Sequence, residues 1–127
     1  MAPQSFFTVL IVDDDANMRN IINRMLVRMG NFEVLEAPDG ERGWDILTTS
    51  LVDLVISDWD MPKLSGLDFL RKVRADERLS RMRFILLTGM ATRESILEAI
   101  EARVTNYIVK PFSQKDFTEI VSKSLGL

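Results

Sequence analysis

Four short apolar runs in this chain end in residues that carry charge or a hydroxyl. Phe7 to Val12 ends in Asp13-Asp14-Asp15, and Leu54-Val55-Ile56-Ser57 ends in Asp58. Phe84 to Leu87 ends in Thr88, and Tyr107 to Val109 ends in Lys110-Pro111. If these runs are strands of one open parallel sheet, their carboxyl ends converge on a single crevice, where such sheets bind ligands. The chemistry that fits this set is metal-assisted phosphoryl transfer to Asp58. Attack by one anion on another needs charge neutralisation and positioned donors. Asp13 and Asp14 create a negative field suited to Mg²⁺, which prefers oxygen ligands and keeps several waters. Lys110 offers an ammonium to a phosphoryl oxygen, and Thr88 offers a hydroxyl donor. Without a cation the clustered carboxylates repel and raise one another's pKa values.

Each residue alone has an ordinary explanation. An Asp after a strand commonly caps the next helix, Thr suits a strand, and a lysine suits any surface. The joint placement at four strand ends is what carries the argument. Composition narrows the chemistry further. The chain of 127 residues has no cysteine and no histidine. Disulfides and thiolate metal sites are therefore excluded, and any metal must be held by oxygen. A net charge of −3 gives no reason to expect nucleic acid. No apolar stretch approaches a membrane span. The N-terminus lacks the basic and apolar regions of a signal peptide, so a cytoplasmic protein is expected.

The elements that must position these residues follow from periodicity. Met18, Ile21, Ile22, Met25, Leu26 and Met29 fall at helical spacing, and Gly30-Asn31 ends that helix. A weaker strand spans Glu33 to Ala37. Asp39 is placed to cap a second helix with Trp44, Leu47 and Leu51 on its inner face. Ser65 is placed to cap a third, carrying Leu67, Leu70 and Val73. The basic stretch Arg71 to Arg83 reads as a solvated helix end and loop. Ile96, Leu97, Ile100 and Val104 mark a fourth helix, and Phe117, Ile120, Val121 and Leu125 a fifth. Continuous apolar strands alternating with amphipathic helices imply an α/β fold, a parallel sheet covered on both faces. One domain over residues 1–127 is expected, with no internal repeat or linker.

On Val12-Asp13-Asp14, Asp58-Trp59-Asp60-Met61-Pro62, Gly66, Leu87-Thr88 and Tyr107-Ile108-Val109-Lys110-Pro111-Phe112, the chain resembles the receiver domains of two-component response regulators, most closely the CheY-like chemotaxis regulators. The resemblance covers nearly the whole chain. It implies a flavodoxin-like, doubly wound (βα)5 sandwich with strand order 2-1-3-4-5. It implies that Asp58 is the phosphoacceptor for a sensor histidine kinase or phosphotransfer protein. Asp14, Asp58 and the backbone carbonyl of Asp60 would ligate Mg²⁺, with Asp13 acting mainly through water. Thr88 and Tyr107 would form a switch pair, Lys110 would pair with the phosphoryl group, and the Lys110-Pro111 bond would be cis. The fourth helix, fifth strand and fifth helix would bind a downstream output protein, in chemotaxis the flagellar motor switch. A monomer that is a signalling domain rather than an enzyme is implied, with no direct nucleic-acid or membrane partner.

Three positions depart from the chemotaxis pattern: Asp60, where Asn is frequent; Met90, where an acid is frequent; and Arg103, in place of a common glycine. Asp60 and Met90 bear on how water reaches an acyl phosphate. Arg103 costs roughly 1 kcal/mol if the backbone there is left-handed. Two rival readings remain. One is a receiver from another pathway or from a multidomain regulator. The other is an aspartyl-nucleophile phosphatase, whose D-x-D motif Asp13-Asp14-Asp15 matches, though Ala16-Asn17 follows where that motif continues with Thr or Val. A binding module that needs no phosphorylation is a weaker third.

Overall fold

Strands and helices alternate along the computed structural model, which describes residues 6–127. The order is β1 (Phe7–Val12), α1 (Ala16–Met29), β2 (Phe32–Ala37), α2 (Gly40–Thr49), β3 (Leu54–Asp58), α3 (Gly66–Ala75), β4 (Arg83–Thr88), α4 (Arg93–Glu101), β5 (Asn106–Val109) and α5 (Gln114–Ser124). The five strands form one parallel sheet in the order β2-β1-β3-β4-β5. This is the doubly wound flavodoxin-like arrangement that the resemblance implies.

The sheet divides the apolar residues by strand parity, because successive side chains point to opposite faces. Val9, Ile11, Ile56, Ile85 and Ile108 pack with Ile22 and Leu26 of α1 and with Phe117 and Val121 of α5. Leu10, Val12, Val55, Phe84 and Leu86 pack on the other face, against Leu47 of α2, Phe69, Leu70 and Val73 of α3, and Ala99 of α4. Burying a side chain of this size is worth about 1.5–3 kcal/mol each. The central strand β3 is buried along its whole length. Its last residue, Asp58, is carried into the interior by its neighbours rather than by its own chemistry.

The helix starts follow local signals. Asp39 accepts from the Arg42 amide and Ser65 from the Asp68 amide, as their positions suggest. Thr92 and Ser95 close a reciprocal capping box at α4. Three expectations need correction or refinement. Leu51 is 94% exposed, because α2 stops at Thr49. Trp44 does pack inward against the core but stays only half-buried, with the Lys72 ammonium 4.5 Å from its ring centroid. The basic stretch is not uniformly solvated. Arg74 is half-buried and donates to the carbonyls of Arg103, Ser80 and Met82. It thereby joins the end of α3 to the loop before β4 and to the turn after α4. Burial, and then the nearby Arg103 charge, lowers its pKa.

Arg103 itself has φ +62°, the left-handed conformation that costs a side-chain-bearing residue about 1 kcal/mol relative to glycine. Among the described residues its own guanidinium makes only a long bond, 3.5 Å, to the Arg74 carbonyl. Arg103→Gly is therefore expected to stabilise the protein by about 0.5–1 kcal/mol. The check is urea unfolding, read as a higher midpoint with unchanged slope. A lower midpoint would mean that the arginine contacts outweigh the backbone strain.

Candidate functional site

The site is assembled by strand ends that hydrogen bonds hold in line. The Trp59 amide donates to the Leu87 carbonyl (2.9 Å), and the Lys110 amide to the Thr88 carbonyl (2.8 Å). The Asp13 amide reaches the Ala37 carbonyl of β2 (3.1 Å). The ends of β1, β3, β4 and β5 therefore open together, as the sequence pattern requires. Carboxylate oxygens of Asp13, Asp14 and Asp58 lie within 4.8 Å of one another. Asp15, the third acid of the run, is spent as the N-cap of α1, accepting from the Asn17 amide.

Lys110 reaches across from β5 to Asp58, with Nζ 2.9 Å from Oδ1. The Trp59 amide donates to the same oxygen at 3.0 Å. Both bonds go to Oδ1. Asp13 is 1% exposed. Its Oδ1 accepts from the Asp15 amide (2.9 Å), while its Oδ2 is buried with no hydrogen-bond partner. A buried acceptor without a donor is costly, and this one sits within the three-carboxylate group. All the nearby donors of electron density are oxygens, the set that suits a hard divalent cation.

Thr88 is buried beside this cluster, but its hydroxyl is turned to its own chain. Oγ1 donates to the Met90 carbonyl (3.0 Å) and accepts from the Met90 amide (3.1 Å). Tyr107 is half-buried and packs on the cluster beneath α3 and α4. In register it pairs with Leu86, while Thr88 pairs with Val109. Asp60 and Met90 are exposed at the rim. The Lys110-Pro111 bond is cis.

Two supporting residues carry no signal that separates them in sequence from ordinary polar positions. Arg19, on the first turn of α1, donates to the Asp13 carbonyl (2.6 Å) and pairs with Glu36 (3.1 Å). Ser57 is fully buried and donates to the Asp58 carbonyl (2.9 Å). Gly66 does have a physical signature, visible only in space. Its amide donates to the Trp59 carbonyl at 2.8 Å, and a Cβ at this position would overlap the Asp58 carbonyl. No side chain fits where α3 begins against the end of β3.

Electrostatics at the site are unbalanced. Burial, partly offset by the Asp15 amide, raises the Asp13 pKa from 3.8 to about 6, and Asp58 and Asp14 push it the same way. Burial also raises the Asp58 pKa, against the opposing hydrogen bond and charge of Lys110. For Asp13 the folded protein binds the proton more readily than the unfolded chain. Its contribution to stability is thus fully present below about pH 3.8 and is lost as pH rises through about 6. Asp13→Asn is expected to stabilise the cation-free protein at pH 7.5 by about 1–3 kcal/mol. It should also flatten the fall in stability through that window. Urea unfolding in chelator across the pH range checks both, and an unchanged slope would contradict the assignment.

Comparison with known proteins agrees with this geometry. The response regulator receiver domain family matches residues 9–122. A chemotaxis protein CheY homolog of Campylobacter jejuni is 40% identical over 119 residues, covering 93% of this chain and 92% of that protein. The structure of the Vibrio cholerae chemotaxis protein CheY4 superposes with a TM-score of 0.89 at 27% identity, covering 95% of this chain and 100% of the other. The receiver domain of a Pseudomonas aeruginosa sensor histidine kinase superposes at 0.86 and 25% identity, covering 97% and 100%. That structure has a magnesium ion coordinated in its active-site cleft. This chain belongs to the response regulator receiver domain family.

Proposed function

We propose that the whole chain, residues 1–127, works as a phosphorylation-activated signalling unit, with Asp58 as the phosphoacceptor. The observation that carries this is the meeting of Asp58 with Lys110 and with two further carboxylates in one crevice. Asp14, Asp58 and the Asp60 carbonyl would hold Mg²⁺ directly, with Asp13 contributing through water and field. The partnerless Asp13 Oδ2 and the magnesium-bearing relative support that assignment. When bound, the cation supplies neutralisation of charge between nucleophile and phosphoryl group.

The protein's own residues do the rest. Lys110 and the Trp59 amide hold Oδ1 of Asp58, which orients the carboxylate for attack on phosphorus through one of its oxygens. A P–O bond forms there as the bond from phosphorus to the donor's leaving atom breaks. That leaving atom is an imidazole nitrogen of a histidine kinase or phosphotransfer protein. Lys110 then transfers its hydrogen bond to a phosphoryl oxygen. Thr88 exchanges the Met90 backbone for another phosphoryl oxygen, and Tyr107 moves into the space this leaves. The α4–β5–α5 surface presents the result to an output partner. Leu97 and Ile100 of α4 and Val109 of β5 are exposed there, which gives that partner apolar anchors. The chemotaxis relatives support a place in a chemotaxis pathway. Among the described residues no helix is long and apolar enough to cross a membrane.

Incubation with acetyl phosphate and Mg²⁺ is expected to add one phosphate to the intact protein, and Asp58→Ala should abolish it. Mass spectrometry reads the outcome, and full labelling of the Asp58→Ala protein would refute the assignment. The switch has a separate expected outcome. Thr88→Ala and Tyr107→Ala should still be phosphorylated, yet beryllofluoride should no longer change partner affinity. A ligand can shift the two states only through its differential affinity for them. Retention of the wild-type affinity ratio in both variants would exclude this route.

A further inference from the structure

Asp13 is tethered at every polar group but one. Its amide donates to the Ala37 carbonyl of β2 (3.1 Å), and its Oδ1 accepts from the Asp15 amide (2.9 Å). Its carbonyl accepts from Nη1 of Arg19 at 2.6 Å. Among the described residues only Oδ2, inside the three-carboxylate group, is left without a partner. The Arg19 bond is short and charge-assisted, the stronger class of hydrogen bond. Arg19 is in turn held by Glu36, whose Oε1 is 3.1 Å from Nε. Glu36 lies on β2 opposite Ile11 of β1, so its position is set by the sheet. The guanidinium thus bridges a sheet anchor and the loop at the end of β1.

The Asp13 carbonyl belongs to the planar peptide that begins Asp14. Holding that oxygen fixes where the Asp14 Cα starts, and Asp14 is the exposed member of the carboxylate group. We propose that Arg19 is a positioning residue for the divalent-cation site: with Glu36 as its anchor, it orients the Asp13-Asp14 peptide so that the carboxylates meet around the ion. This rests on the cation-site reading above.

The charge of Arg19 makes the proposal testable by sign. A cation beside the site opposes the binding of another cation through Coulomb repulsion alone. If charge were all that mattered, removing Arg19 would tighten Mg²⁺ binding. If it orients the ligands, removing it weakens binding, as losing the group that holds a metal ligand commonly does, by about tenfold or more. Lysine separates the two further. It keeps the charge but has a single nitrogen, which cannot span the Asp13 carbonyl and Glu36 as the guanidinium fork does.

The experiment is Mg²⁺ titration calorimetry of the full chain at fixed ionic strength, with thermal unfolding in chelator run in parallel. Wild type, Arg19→Met, Arg19→Lys and Glu36→Ala are compared. The expected result is Mg²⁺ affinity about tenfold weaker in Arg19→Met, also weaker in Arg19→Lys, and weakened to a smaller degree in Glu36→Ala. Arg19→Lys carries the test if Arg19→Met does not fold. Tighter or unchanged binding in a folded Arg19 variant, with wild type binding normally, would overturn the positioning role and leave the cation site standing. Absence of Mg²⁺ binding by wild type would overturn both.

Discussion

The structure depends on carboxylates held where water cannot solvate them well. Asp13 and Asp58 stand at the ends of β1 and β3, each directly preceded by four fully buried residues. The parallel ladder leaves them no other place, since a shift of one residue would turn every core side chain to the opposite face. A buried charge is costly unless paired and hydrogen-bonded. Lys110 pairs with one of the two, and Asp14 adds a third negative charge nearby. The site therefore keeps an excess of negative charge that the core packing sustains. Any group bringing positive charge gains from that excess, and the gain is available only in the folded state.

Around this fixed cluster the elements differ in how firmly they are held. The carboxylates are braced from several directions. Lys110 and the Trp59 amide fix Asp58, Ser57 holds its carbonyl, and Gly66 brings α3 onto the same oxygen. On the other side of the sheet end, α4 buries a single residue, Ala99, while Leu97 and Ile100 face outward. Elements with little buried apolar surface open and shift at low cost. The rigid part of the molecule thus holds the anionic site, and the loosely packed part lies beyond Thr88 and Tyr107. A change in charge at Asp58 has a pliable neighbour on which to act.

Much of this layout was legible from residue types. The run Leu54 to Asp58 reads as a buried strand because both faces of a parallel sheet demand apolar residues. The caps Asp39 and Ser65 declare themselves by their place before amphipathic stretches. Leu51 misleads because it continues the spacing of Leu47. The chain leaves the helix first, where Thr48 and Thr49 turn their hydroxyls back to the Trp44 and Asp45 carbonyls. Arg19 and Arg74 were illegible for a different reason. Their acceptors include main-chain carbonyls, which every residue possesses, so no pairing of side chains in sequence announces the bond. Thr88 was placed correctly at its strand end, but its two bonds to Met90 depend on a loop path that periodicity does not describe.

Those two bonds set the energetics of the proposed switch. The Thr88 hydroxyl gives up a donor bond and an acceptor bond to the Met90 backbone when it turns away. Neutral hydrogen bonds contribute about 0.5–1.5 kcal/mol each, and one to a charged group about 1.5–3 kcal/mol. Losing two neutral bonds for one charge-assisted bond is close to even. The hydroxyl alone therefore supplies little net bias. Tyr107, half-buried at the edge of the α3–α4 cluster, has aromatic surface still to bury, at about 25 cal/mol per Å². In the proposed switch the ring would add the bias that the hydroxyl lacks, and the hydroxyl would make the space that the ring needs. Without a phosphoryl group the hydroxyl would give up both Met90 bonds for no charge-assisted replacement, so the outward state would prevail; the phosphoryl oxygen would remove that cost and let the burial of the ring decide.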